Sequence, residues 1–369
     1  MSENRALVIV NSVYQLINAV QIKRSLLHGR PVDLLLTDIL PDARDYLPRL
    51  EQTGLFDRVL FALSMETNQK YAGAKEPELS ECYRNTANFL RWALSDELTD
   101  YAEIYFSNYD VLTRMLACRF YHQPCAFICY EDGFSTYVID YLREDRAPVN
   151  RHPDGRKIRD KVQRVLLYEP ALAMRGDRLP NVSLPKIDRR DSELRELFNH
   201  IFGYRGSARL PRFIFLEQSF RAEGIRTNDI DLMRECREAA GGDFIVKPHP
   251  RNRENLPQEM GLTRKYPDHI PWELFLLNLP EDEKQQHTLL TVCSNAALTS
   301  RLVFGLDMNT VMLYRLFEGK VLWKEDATLW RYLERFRREF AGRNYYVPQT
   351  RYALRNTLMF LGGQNGKSD

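Results

Sequence analysis

Apolar and polar positions alternate in blocks along this chain. ALVIV (6–10), VDLLLTD (32–38), RVLFA (58–62), EIYFSN (103–108) and CAFICY (125–130) are short, nearly continuous apolar runs. That is the pattern of strands buried on both faces. Between them the apolar positions fall at helical spacing: Leu16, Ile17, Val20 and Leu27 after the first run, the amphipathic stretch 79–94, and a segment over 109–121. From 151 the pattern breaks. RHPDGRKIRDKVQR (151–164) is basic and interrupted, which predicts a mobile loop, and LPNVSLPKIDRRD (179–191) is polar and proline-bearing. A second series then starts: strands in FIFLEQ (213–218), FIVKPHP (244–250), TLLTVCS (288–294) and NTVMLY (309–314), with helices over 228–240 and 329–340. The alternation predicts an α/β protein of two Rossmann-like domains with parallel sheets, facing a cleft. The expected domains are 1–190 and 191–345, with 346–369 as a C-terminal tail.

Composition narrows the field. A length of 369 residues suits two domains, and 44% apolar content is that of a globular protein. Net charge is +2, which gives no electrostatic footprint for nucleic acid, and none is expected as a partner. Cys82, Cys118, Cys125, Cys129, Cys236 and Cys293 form no CxxC pair and are expected as buried thiols of a reducing compartment. MSENRALVIV runs straight into a strand, and no apolar stretch approaches the ~20 residues of a membrane span, so a cytoplasmic location is expected.

Candidate chemistry gathers where strands end. Asn11-Ser12 follows the first strand. Glu131-Asp132-Gly133 follows CAFICY. Lys247-Pro248-His249-Pro250 ends the FIV strand, and Ser294-Asn295 opens a small-residue helix. Parallel sheets put all carboxyl ends on one edge, so these residues can share a site. Asp132 can serve as a general base, with Glu131 beside it lifting its pKa, or can cap the following turn. His249, bracketed by prolines, is either a fixed donor to a leaving phosphate or a structural turn histidine. Ser294 either seats a phosphate at a helix N-terminus or is an ordinary N-cap. His28, His122, His152, His200, His269 and His287 have no such setting and read as core or surface histidines. GxGxxG, a Walker loop, HExxH, zinc spacing and GxSxG are all absent. Asp229-Ile230-Asp231 falls inside a predicted helix and reads as a solvated face.

The order of these pieces resembles the family 52 bacterial glycosyltransferases, known for lipooligosaccharide sialyltransferases. VNSVYQLINAVQIK (10–23) is similar to the family's opening strand and helix, and YEDGFSTY (130–137) to the acid-acid-glycine motif of bacterial sialyltransferases. KPHP (247–250) resembles their His-Pro motif, CSNAALTS (293–300) their serine motif, and IPWELF (270–275) the segment before it. The resemblance runs from about residue 6 to 316, and departs in placing Asn295 where relatives carry a second hydroxyl. It implies the GT-B fold and inverting transfer of sialic acid from CMP-sialic acid to a sugar hydroxyl of a cell-surface glycan, lipooligosaccharide or capsule. Asp132 would be the general base, and His249 would assist the departing phosphate. Ser294 with Asn295 would bind that phosphate and Glu273 the ribose. Lys247, Pro250, Asn11 and Ser12 would complete the donor site, and Glu131 and Gly133 would frame the base. No metal or other cofactor is expected, because a single phosphate monoester can be met by a helix N-terminus, a serine hydroxyl and an imidazolium. A UDP-hexose donor, or a non-catalytic glycan- or partner-binding role, is the alternative.

The basic stretches 151–164 and 331–340 can hold such an enzyme on an anionic membrane bearing a lipid-linked acceptor, or can be solvated faces with paired charges. The apolar faces of 79–94 and 329–340 suit either a core or a second copy in a homodimer.

Overall fold

The computed structural model describes residues 4–71, 83–146, 148–206, 209–267, 271–319 and 327–363. Cys82, His269, Ile270, residues 79–82 of an expected helix and the last six residues of the expected tail lie outside them. The chain divides into two compact units, one of Met1–Pro185 with Glu196–Gly203, the other of Lys186–Arg195 with Tyr204–Asp369.

The first unit is built on seven parallel strands: β1 (Ala6–Val10), β2 (Val32–Thr37), β3 (Arg58–Ala62), β4 (Glu103–Phe106), β5 (Ala126–Tyr130), β6 (Val162–Leu167) and β7 (Asn181–Ser183). They lie in the order β3-β2-β1-β4-β5-β6-β7, so the winding reverses between β1 and β4. Val8 of β1 stands opposite Leu34 on one side and Tyr105 on the other. Every residue of β1 and β2 is buried, as the continuous apolar runs require. The exception in chemistry is Asp33. Its fully buried carboxylate is met by Arg5 at 2.5 Å and the Tyr101 hydroxyl at 2.8 Å, since a buried charge is tolerated only when paired.

The stretch 151–164, expected as a mobile loop, is ordered structure. Lys157–Lys161 is a short helix that feeds β6, and His152 and Ile158 are buried. Arg114, itself buried, donates to Gly155 O and Asn150 Oδ1, both at 2.8 Å, and so ties the segment down. Gly155 is required there, because a Cβ would sit 2.1 Å from Val149 O. The basic side chains are largely paired: Lys157 with Asp154 at 2.6 Å, Arg156 and Arg159 with Glu144, Arg164 with Glu103 at 2.9 Å.

The second unit holds five parallel strands: β8 (Phe213–Leu216), β9 (Phe244–Lys247), β10 (Thr288–Thr291), β11 (Asn309–Met312) and β12 (Tyr345–Tyr346). Their order is β12-β11-β10-β8-β9, and here the winding reverses between β8 and β10. Ala327–Glu339 is a helix whose Leu329, Tyr332, Leu333 and Phe336 are buried, while Glu334 pairs with Arg315 at 2.6 Å and Arg337 at 3.3 Å, and Glu339 with Arg335 at 3.0 Å. Residues 346–369 include the helix Arg351–Gly363. It buries Leu354, Leu358 and Leu361, and its Arg351 and Arg355 grip Glu235 at 2.9 and 3.0 Å. Asp229 corrects the solvated-face expectation. It is buried and receives the Thr227 hydroxyl, whereas Asp231 is exposed and pairs with Arg234 at 2.8 Å. Cys125, Cys129, Cys236 and Cys293 are buried free thiols, and Cys118 is half-buried. Among the described residues no helix is long and apolar enough to cross a membrane.

Candidate functional site

Each sheet reverses its strand order once, and the carboxyl ends of the strands at such a reversal are the place where open α/β sheets take ligands. Each unit therefore carries one polar edge.

In the first unit the edge starts with Asn11, directly after β1. Its amide nitrogen donates to Asn108 Oδ1 at 2.9 Å and Asp110 Oδ2 at 3.3 Å, and its oxygen accepts from Thr37 at 2.8 Å. Ser64 also donates to Asp110 Oδ2, at 2.9 Å, and Gln15 to Asn108 Oδ1 at 2.7 Å. Four strand ends or the turns after them are thus sewn together by side chains, and burial holds the Asp110 carboxyl above its ordinary pKa. The Asn11 amide is fully engaged inside this network. Ser12 is the N-cap of the helix Val13–Ser25, its Oγ accepting from Gln15 N at 3.2 Å. Both were expected on the donor; what their side chains do here is to organise the first unit's edge.

Glu131 and Asp132 divide their tasks at the end of β5. Glu131 is wholly buried. Its Oε1 accepts from Tyr14 at 2.8 Å, and its Oε2 from the Tyr168 amide at 2.9 Å and from the Tyr137 hydroxyl. Its backbone carbonyl takes the Asn18 amide at 2.8 Å. Burial pushes this carboxyl up to about 7 against those donors. Asp132, one residue on, is only half buried. Its backbone N–H donates to Thr136 Oγ1 at 2.8 Å, and its carbonyl accepts from Ser135 at 3.3 Å, so the turn is fixed from both ends. Gly133 adopts φ of +75°, a left-handed conformation that a side chain would strain. The following short helix, Ser135–Val138, has Phe134 as its N-cap with no side-chain cap.

In the second unit three strand ends converge. After β9, His249 donates its backbone N–H to Glu217 Oε2 at 2.9 Å, and its Nδ1 accepts the Arg251 N–H at 3.2 Å. With Nδ1 so occupied, the proton of the neutral ring sits on Nε2. Burial, then the nearby charges of Arg251 and Lys247, hold the imidazole down at about 4. This corrects the expected protonated donor: the free protein presents a neutral imidazole with an Nε2–H. Lys247 is lowered by burial, with Glu273 and Glu217 opposing, and Glu273 is raised by burial, with Lys247 opposing. Lys247 also lies 5.7 Å from the Tyr266 ring centre. Pro250 closes the turn.

After β10 the chain enters the helix Asn295–Leu302. Ser294 is its N-cap, accepting from Ala296 N at 3.3 Å, and its own N–H donates to Thr291 Oγ1 at 3.0 Å. The Asn295 side-chain oxygen is buried without a hydrogen-bond partner. The Trp272 indole donates to Ala296 O at 2.8 Å and stacks on Phe275, so the helix bearing Glu273 is locked to this N-terminus.

Lys247, His249, Glu273, Ser294 and Asn295 are therefore gathered in the second unit, and Asn11, Ser12, Glu131, Asp132 and Gly133 in the first. Sequence reasoning missed Asp110, Asn108 and Thr37 in the first unit and Glu217 and Gln218 in the second. Each stands at or just after a strand end, which was the available signal.

No protein-family model matches this chain, and none of the curated proteins compared matches it. Solved structures do. An alpha/beta-galactoside alpha-2,3-sialyltransferase from the luminous marine bacterium Photobacterium phosphoreum is similar at a TM-score of 0.50 and 11% identity, with 93% of this chain and 98% of that one covered. A putative UDP-N-acetylglucosamine 2-epimerase from Listeria monocytogenes is similar at a TM-score of 0.51 and 9% identity, with 99% of this chain and 89% of that one covered. At such identities the likeness shows the fold alone, that of GT-B glycosyltransferases, and it does not reach as far as family 52.

Proposed function

We propose that this chain is an inverting glycosyltransferase that moves sialic acid from CMP-sialic acid to a hydroxyl of a cell-surface glycan. The observation that carries the reading is the second unit's edge. Lys247 at the end of β9, an Nε2–H donor on His249 just after it, and the N-terminus of the helix Asn295–Leu302 after β10 stand on either side of β8, next to the reversal of strand order. Together they suit a departing phosphate monoester, whose growing charge is met by preorganised donors. Metal is not required by that arrangement. Glu273 supplies a carboxylate for ribose hydroxyls.

On the first unit Asp132 takes the proton of the acceptor hydroxyl as the new bond forms. Glu131, clamped by Tyr14 and Tyr137, holds the strand end beneath it, and Gly133 leaves room for the acceptor. A single displacement inverts the anomeric carbon.

A second donor class has its own support: the epimerase whose fold is similar is named for a UDP-sugar. One experiment separates the two. Thermal melting of the protein with CMP, UMP, UDP and CMP-sialic acid is expected to show stabilisation by the cytidine ligands, about 2.7 kcal/mol at 100 times Kd. Stabilisation by uridine nucleotides alone moves the donor to a UDP-sugar, and stabilisation by none removes the transferase reading.

A further inference from the structure

The two loops assigned to the phosphate leave different strands, β9 and β10, and those strands do not touch. β8 lies between them. Directly after β8 stand Glu217 and Gln218, and each reaches to one neighbour. Glu217 extends the ladder to β9, its N–H donating to Lys247 O at 3.1 Å, and its Oε2 accepts the His249 N–H at 2.9 Å. Its other oxygen is held by Arg221 at 2.7 Å. Gln218 turns to β10: its Oε1 accepts the Cys293 N–H at 2.9 Å, and its Nε2 donates to Cys293 Sγ at 3.2 Å. Its carbonyl accepts from Asn252 of the His249 loop at 3.0 Å. Glu217 is 3% exposed and Cys293 is 2% exposed, so the Glu217 carboxylate and the Cys293 N–H have no water to replace a lost partner.

Resting on the reading of this edge as a nucleotide-phosphate site, we propose that Glu217 and Gln218 are positioning residues. Glu217 fixes His249, Gln218 fixes the Cys293–Ser294 turn, and their adjacency at the end of one strand sets the gap that a single phosphate must fill. Neither touches the ligand. A seat of this kind tolerates only about 0.5 Å of drift before its contacts weaken, which is why two loops from non-adjacent strands need a common mount.

The test uses the full chain and calorimetric titration with CMP and UDP, with cytidine and uridine as phosphate-free controls. The wild type is expected to bind one nucleotide more tightly than its nucleoside. Glu217→Leu and Gln218→Leu should lower that nucleotide-to-nucleoside ratio about tenfold or more, with nucleoside affinity unchanged. Glu217→Gln and Gln218→Glu, which keep an oxygen for the His249 and Cys293 N–H groups, should restore most of it. In a His249→Ala background the further loss from Glu217→Leu should nearly vanish, because it acts through His249. Should a leucine variant fail to fold, Glu217→Asp and Gln218→Asn shorten the same reach and take its place. An unchanged ratio in the variants, or a Glu217 effect that is additive with His249→Ala, overturns the proposal alone. Binding of neither nucleotide by the wild type overturns the site reading and the proposal with it.

Discussion

Glu131 and Asp132 are adjacent carboxylates in different environments, and the difference is measurable. A carboxyl whose folded-state pKa stands above its unfolded value holds its proton more tightly when folded. Its share of stability is therefore in place below 4.5 and is lost as pH rises through about 7. For Glu131 that share is at most about 3 kcal/mol. Glu131→Gln carries no titration, so wild type should exceed it in urea resistance by more at pH 5 than at pH 8. A gap independent of pH would contradict the buried, proton-hungry carboxyl. His249 runs the other way. Its folded-state pKa, about 4, lies below 6.5, so its contribution is present above 6.5 and fades as pH falls toward 4. Its ring resonances should not titrate between pH 5.5 and 8 in the free protein, and an added nucleotide phosphate should raise the midpoint. A titration near 6.5 without ligand would show the imidazole to be solvated. The sequence marked both residues as special, because prolines and paired acids are visible. It could not order the two acids, since burial is decided by Tyr14 and Tyr168, which arrive from distant parts of the chain, together with the nearby Tyr137.

Among the elements, the helix Asn295–Leu302 joins stability to binding at one residue. Ser294 caps it, and removing a cap costs about 1 kcal/mol. Aspartate caps about as well as serine, yet brings a negative charge to the place where a phosphate should sit. Ser294→Asp should therefore keep the melting temperature within about 2 °C of wild type while nucleotide binding disappears from the titration. Retained binding would reduce Ser294 to a structural cap. Strands were legible wherever both faces are covered, because β1, β2, β5, β8 and β10 read as short, nearly continuous apolar runs. β7 was not: its three residues are exposed, so no hydrophobic pattern marks them. β6 was hidden by the polar pair Gln163 and Arg164, neither of them buried, near the head of an otherwise buried strand, and by the basic helix feeding it. The Asn11–Thr37–Asp110 network escaped notice because each member looks alone like an ordinary turn residue. Only the parallel register, which sets the ends of β1, β2 and β4 side by side, makes them one group.

At the scale of the whole molecule, the polar residues separate by unit, and the separation makes binding and turnover independently addressable. Lys247, His249, Glu273 and Ser294 belong to the second unit, Asp132 to the first. If the second unit takes the nucleotide and Asp132 removes the acceptor proton, Asp132→Asn should bind CMP with wild-type affinity and lose turnover by about 10²–10⁴, the range for a general base. On the same reading His249→Ala should lose both, because its Nε2–H is proposed to hold the phosphate before and during departure. Calorimetric titration with CMP, paired with a transfer assay on a sialic acid acceptor, reads the two quantities separately. Chelation of divalent ions should leave both unchanged in the wild type. Loss of CMP binding in Asp132→Asn would tie the first unit to the nucleotide, and full turnover in that variant would remove Asp132 from the reaction. In the second case Asp110 becomes the carboxylate to examine. It stands at the same sheet edge with its pKa raised by burial, but it already receives the Thr113 N–H at 2.9 Å and the Ser64 hydroxyl at 2.9 Å. Those bonds already occupy its lone pairs and make it a poor proton acceptor.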